Sequence, residues 1–179
     1  DEQLAEELFY SEKDRAEHLM IVDLLRNDLG KVCNFGSIKV NDLYKVESYE
    51  TVHHLVTEIT GNLKYNIQEM DIINALFPGG SVTGAPKERA LQIIDSLENY
   101  SRGIYTGSIG YITSSGKMDF NIAIRTLTIQ GKIAIYPVGG GIVWDSIPEE
   151  EWKETNTKSE ILKNVLISNK KLEALTSGK

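Results

Sequence analysis

Apolar residues recur at helical spacing over the first thirty positions and at strand spacing over much of the middle, so the chain reads as alternating helical and sheet-forming blocks. The opening segment is helical in two pieces. Ser11, with Asp14 three residues on, supplies an N-cap with an acidic third position, and Ala16, Leu19, Met20, Val22 and Leu24 lead an apolar face toward Gly30. This pattern predicts a second helix from about Glu12 to Leu29. From Lys31 to Leu63 the residues change to β-formers, VCNFGSIKV and then LYKVESYETVHHLVTEITGNL, which predicts two or three antiparallel strands with a turn at Asn41-Asp42.

Met70, Ile73, Leu76 and Phe77 return to helical spacing and predict a helix over Gln68 to Phe77, stopped by Pro78-Gly79-Gly80. Pro86 suits a first helical position, and Ala90, Leu91, Ile94 and Leu97 share one face of a helix running to about Tyr100. Gly103 to Val143 reads as an antiparallel meander, IYTGSIGYIT, MDFNIAIRTLTI and KIAIYPV, with turns at Ser114-Ser115-Gly116 and Gln130-Gly131. Trp152, Ile161, Leu162, Val165 and Leu166 mark the docking face of a charged helix from Pro148 to about Leu175, and residues 176–179 form a frayed tail.

Length and composition narrow the class. With 179 residues, 41% of them hydrophobic, the chain suits one domain or one large piece of a bigger one. Nineteen basic residues against 26 acidic ones give a net charge of −7, the wrong sign for a nucleic-acid or anionic-membrane binder. Cys33 is the sole cysteine, so no internal disulfide can form, and neither a CxxC pair nor a Cys/His cluster is present to hold zinc, which fits a reducing, cytoplasmic setting. No run approaches the ~20 apolar residues of a membrane span.

Several groups of residues could carry chemistry. Asp14 with Glu17 and Glu151 with Glu154 are i, i+3 pairs, each on one helical face, and four carboxylates suit a hard divalent cation such as Mg²⁺. Each pair alone is also what a solvated helix N-terminus carries. The loop PGGSVTGAPK, residues 78–87, leads into a helix and could receive an anion on its backbone at Gly84-Ala85, although it is not a Walker motif and could equally be a plain helix connection. Arg125 lies among Ile122, Ile124 and Leu127; on a regular strand it faces away from Ile124 and needs either an anionic ligand or a structural partner. Tyr105 and His54 could donate oriented hydrogen bonds, and His53 and His54 point to opposite sheet faces on a regular strand. Gly139, Gly140 and Gly141 offer either bare backbone to a ligand or a sharp bend.

Taken in order, the blocks SEKDRAEHLMIVDLLRNDLGKV, VHHLVTEITG, FPGGSVTGAPKERALQIIDSLE, GIYTGSIGYI, MDFNIAIRTL and GGGIVWDSIPEEEWKETNTK resemble the chorismate-utilising enzymes over nearly the whole chain. FPGGSVTGAPK, KDRAEHLMIVDLLRND and GSIGYI make the resemblance strongest to the aminodeoxychorismate synthase component I branch, with anthranilate synthase component I the nearest alternative. A non-catalytic scaffold that binds another subunit is the alternative of a different class.

The resemblance implies an α+β fold, an antiparallel β-sandwich core with helices packed outside, of which residues 1–175 would be the C-terminal portion. It implies Mg²⁺ held by Glu17 and Glu154 with Asp14 and Glu151 as direct or water-mediated partners. Arg125 and Tyr105 would hold the enolpyruvyl carboxylate of chorismate, and Lys158 would sit beside the ring carboxylate. His54 would lie near the departing ring hydroxyl, while Gly84, Ala85 and Gly139 to Gly141 line the pocket. The implied reaction gives 4-amino-4-deoxychorismate for para-aminobenzoate and folate, with ammonia from a glutamine amidotransferase subunit. The family's lysine nucleophile belongs to a Pro-Ile-Lys-Gly-Thr-like segment that these 179 residues do not contain, so the chain by itself is expected to be inactive. Uncovered sheet edges in a partial sandwich would favour self-association.

Overall fold

The computed structural model describes residues 2–50, 52–144, 146–160 and 162. The chain divides into two compact units, Asp1–Ala123 and Ile124–Lys179.

In the first unit, α1 (Glu2–Tyr10) and α2 (Glu12–Val32) are separated by Ser11. The Ser11 side chain accepts the Asp14 amide at 3.3 Å and its carbonyl accepts the Arg15 amide at 3.0 Å, so the cap read from the sequence is formed. Helix α2 runs three residues past the expected Leu29, ending where the Cys33 amide reaches the Leu29 carbonyl at 2.8 Å. Gly30 does not stop the helix because Val32 must reach the core, where it is buried with Cys33 and Ala75 under Leu29, Ile38 and Ile67.

Strands β1 (Lys39–Ser48) and β2 (His53–Thr60) form an antiparallel hairpin, with α1 and α2 against it. The turn expected at Asn41-Asp42 is instead an irregularity inside β1, where the register shifts between Asn41 and Lys45 and Asp42 and Tyr44 take positive φ. The tertiary setting explains the local choice: the Arg15 guanidinium lies over the Tyr44 ring at 4.4 Å, and the Tyr44 amide bonds Thr57 Oγ1 at 3.2 Å.

Helix α3 (Glu69–Leu76), a 3₁₀ turn (Gly80–Val82) and α4 (Lys87–Leu97) follow. Pro86 sits one residue before its expected place, as the N-cap of α4. Strands β3 (Ser108–Ile112) and β4 (Met118–Ile122) form a second antiparallel hairpin, turning where the sequence places Ser114-Ser115-Gly116.

The second unit contains the hairpin of β5 (Thr128–Gln130) and β6 (Ile133–Ile135) and a helix, α5, over residues 148–160. The predicted strand MDFNIAIRTLTI is therefore broken: residues 123–127 lie in no regular strand. The helix beyond residue 162 and the tail at 176–179 lie outside the described residues. The fold is mixed helix and sheet, and among the described residues its strands form three two-stranded antiparallel sheets.

Candidate functional site

The clearest concentration of candidate groups lies in the second unit, where the triple glycine meets α5. Pro148 opens α5, and the i, i+3 and i, i+4 spacings place Glu151, Glu154 and Lys158 along one side of it. A side chain begun at Gly140 would come within 3.4 Å of Glu151 Oε2, 3.9 Å of Glu154 Oε1 and 4.0 Å of Lys158 Nζ. The space a Cβ would fill is thus bounded by two carboxylates and an ammonium.

Lys158 bonds the Glu154 carboxylate and donates to the Gly139 carbonyl at 3.3 Å. Glu151 is buried, and its Oε1 accepts the Ser146 hydroxyl at 2.7 Å; Ser146 Oγ in turn accepts the Val143 amide at 3.0 Å. Ser146 therefore fixes a buried acid and connects it to the chain leaving the glycines. A concavity of about 340 Å³ adjoins this cluster, lined by Gly140, Ile142, Ser146, Glu151, Trp152 and Thr155 among others.

Arg125, in the same unit, has φ 51° and an exposed side chain. It therefore does not follow the strand alternation expected of it; the positive φ turns the chain at this point.

In the first unit, Asp14 is exposed on the first turn of α2, and Glu17, one turn further on, is half-buried. His54 is exposed on β2, opposite Glu47 in the register, with its ring 5.6 Å from Tyr49; His53 is half-buried and meets Ser48 Oγ at 2.8 Å. The expected difference between the two histidines holds.

Tyr105 lies in the turn before β3, not on a strand, and its amide donates to the Arg102 carbonyl at 3.1 Å. Burial pushes the Tyr105 hydroxyl above its ordinary pKa. Thr106, with φ 63°, passes its hydroxyl to the Tyr105 carbonyl at 2.6 Å and receives Arg102 Nη1 at 3.2 Å. Arg102 also grips Glu98 through two bonds, at 2.6 and 2.8 Å, which holds the Glu98 carboxyl below its usual range.

Gly84, with φ +130°, and the exposed Ala85 form the outer part of the loop between the 3₁₀ turn and α4. The Gly84 amide is taken internally by the Gly80 carbonyl at 2.9 Å.

Oxygen donors on glutamates and aspartates match a hard cation, and the space at Gly140, walled by Glu151 and Glu154, suits a small one. Each unit offers one carboxylate pair; among the described residues no group of three or more His, Cys, Asp or Glu forms a cluster able to hold a metal. A two-carboxylate donor set fits Mg²⁺, which keeps waters and takes substrate oxygens for its remaining positions.

The sequence reading did not single out Ser146, Arg102, Asp28 or Lys87. For Asp28 a signal exists: it interrupts the i, i+4 row Leu24–Asp28–Val32 on α2, a carboxylate in a stripe that should face the core.

The chain thus combines helices with small antiparallel sheets and brings two carboxylates and a lysine against bare glycine backbone. Residues 1–164 match the family described as chorismate binding enzyme, and the chain belongs to that family. It is 52% identical over 158 residues to aminodeoxychorismate synthase component 1 of Salmonella typhimurium, covering 88% of this chain and 35% of that one. It is 49% identical over 162 residues to anthranilate synthase component 1 of Aquifex aeolicus, covering 90% and 33%. The crystal structure of anthranilate synthase component I from Streptococcus pneumoniae superposes with a TM-score of 0.82 at 42% identity, over 89% of this chain and 37% of that one. The chain thus spans about a third of the length of these relatives.

Proposed function

We propose that these residues are the metal- and carboxylate-binding part of an aminodeoxychorismate synthase component I. The reaction replaces the C4 hydroxyl of chorismate with an amino group, using ammonia from a glutamine amidotransferase subunit, in the cytoplasmic route to para-aminobenzoate and folate. The activity is that of a whole protein at the length of its relatives, completed as a β-sandwich with outer helices. The observation that carries the reading is the space at Gly140, bounded by Glu151, Glu154 and Lys158.

Mg²⁺, when bound, supplies Lewis-acid polarisation of the ring carboxylate of chorismate. Glu154 and Glu151 would hold it from α5, and Glu17 and Asp14 would be the corresponding pair on α2. Lys158 answers the negative charge of the ring carboxylate, exchanging part of its bond to Glu154 for one to substrate. The Gly139 to Gly141 backbone leaves room for the ring, and Gly84 and the exposed Ala85 line it with backbone. Arg125 provides the planar, permanently charged fork suited to the enolpyruvyl carboxylate. Tyr105 donates its phenol hydroxyl to the same type of group. His54 attends the departing hydroxyl.

Anthranilate synthase component I is the second reading, favoured by the 49% identity to the Aquifex aeolicus enzyme and by the crystal-structure match. Product analysis at the full length of these relatives, with chorismate, ammonium and Mg²⁺, separates the two. Release of 4-amino-4-deoxychorismate supports the first, and anthranilate with pyruvate the second. The 179 residues alone are expected to bind chorismate without turning it over, because the lysine-bearing segment is not among them; turnover with ammonia by these residues would contradict that.

A further inference from the structure

The glycine loop is held by a buried carboxylate on another element. Asp28 of α2 is 1% exposed, and among the described residues it is the largest side chain with so little contact with solvent. Its Oδ1 accepts Lys31 Nζ at 2.7 Å, and its Oδ2 accepts Lys87 Nζ at 2.9 Å and the Gly80 amide at 3.4 Å. Gly80 opens the 3₁₀ turn and Lys87 opens α4, so the two ends of the loop converge on one carboxylate.

Two further contacts fit this arrangement. A Cβ at Gly80 would meet Leu24 Cβ at 3.0 Å, so only a glycine brings the turn close enough to α2 for its amide to reach Asp28. Lys87 Nζ also reaches the Ala75 carbonyl at 3.4 Å, inside the core of the unit. A lysine at the end of a glycine-rich loop would ordinarily be available to a bound anion. Here Asp28 draws it inward, leaving the outer loop to act through backbone. Thr83 Oγ1, within the loop, donates back to the carbonyl of Gly79, the residue before the anchored Gly80, at 3.0 Å.

We propose that Asp28 is a positioning residue: by drawing Lys87 into the interior and holding the Gly80 amide, it fixes the loop so that its exposed backbone at Ala85 meets a dicarboxylate ligand. The ligand rests on the function proposed above; the fixing of the loop does not.

The experiment compares the full chain with Asp28→Asn and with Asp28→Asn/Lys87→Met. Three quantities are read: amide exchange of residues 79–85, thermal midpoint, and chorismate Kd by calorimetry with Mg²⁺. Asp28→Asn should speed loop exchange about tenfold or more relative to the β1–β2 hairpin and raise Kd by about tenfold. The double variant, with no buried unpaired lysine, should recover much of the thermal midpoint while loop exchange stays fast and affinity stays low. That split distinguishes positioning from bulk stability. Unchanged loop exchange in either variant, or recovery of loop protection and affinity together with the midpoint in the double variant, overturns the proposal. If the parent chain does not bind chorismate, the ligand assignment fails, and loop exchange still decides the role of Asp28. Should Asp28→Asn not fold, the double variant supplies the same readouts.

Discussion

Two lysine–carboxylate pairs, Lys87 with Asp28 and Lys158 with Glu154, use the same charges in opposite surroundings. The Asp28 carboxylate is 2% exposed and its lysine 20%, and both oxygens are taken by protein donors. Glu154 is 48% exposed, and its lysine points toward a glycine carbonyl beside an open concavity. A buried pair with a full set of partners is costly to break and has little left to offer a ligand. A half-exposed pair contributes little to stability, so its charges can be redirected at small cost. The first pair is therefore read as architecture and the second as a binding device, although residue type alone would not distinguish them.

The largest expected effect lies on the buried side. Asp28→Ala should cost about 3 kcal/mol of unfolding free energy, because it leaves Lys87 buried without its carboxylate. Glu154→Ala should cost less than about 1 kcal/mol. Urea unfolding of both variants checks the contrast, and equal losses would break it.

Next in size is the effect on binding, where the order reverses. Glu154→Gln should weaken Mg²⁺-dependent chorismate binding by about tenfold or more, the scale seen when a metal site loses a supporting group, and leave the melting temperature nearly unchanged. Calorimetry beside a thermal melt separates the two quantities.

Acid should act on the buried pair with a definite sign. Burial raises the Asp28 pKa, but bonds and charge from Lys31 and Lys87 outweigh it, leaving the folded value below the ordinary one. The stabilisation is then complete above the unfolded value of about 3.9 and is lost as pH falls through the lower folded value. Unfolding free energies measured from pH 7 to 2.5 should therefore show a steeper acid loss for the parent chain than for Asp28→Asn. Identical slopes would mean that the lysines do not favour the ionised form.

The smallest effect on folding sharpens the comparison most. Gly140→Ala adds a methyl 3.4 Å from Glu151 Oε2, an ordinary contact, so stability should change by less than about 0.5 kcal/mol. The methyl nevertheless occupies the space between the carboxylates and Lys158, and chorismate affinity should fall.

Much of the fold could be read from local patterning because the responsible interactions are local. The Ser11 cap, helix α3 and the β3–β4 turn depend on neighbours within a few residues, and each lies where spacing places it within a residue or two, whereas α4 ends at Leu97, three residues before Tyr100, with Leu97 exposed. What patterning missed depends on distant contacts. Asn41-Asp42 looks like a turn, yet Arg15 stacking on Tyr44 and the Thr57 hydroxyl hold it as an irregularity within β1. The run from Met118 to Ile129 looks like one strand, yet Arg125 takes a positive φ within it.

The site divides in the same way. Glu151, Glu154 and Lys158 share a helix, so their association follows from spacing, and the structure adds that Gly140 is what they surround. Asp28 was passed over because two of its three partners are 52 and 59 residues away, at Gly80 and Lys87. Only the interruption of an apolar row hinted that this carboxylate faces inward.

The most direct test of the account is a calorimetric titration of chorismate into the chain with and without Mg²⁺, repeated on Glu154→Gln. Binding that requires Mg²⁺ and is about tenfold or more weaker in the variant is the expected result. Binding of equal strength without Mg²⁺, or unchanged in Glu154→Gln, would contradict it.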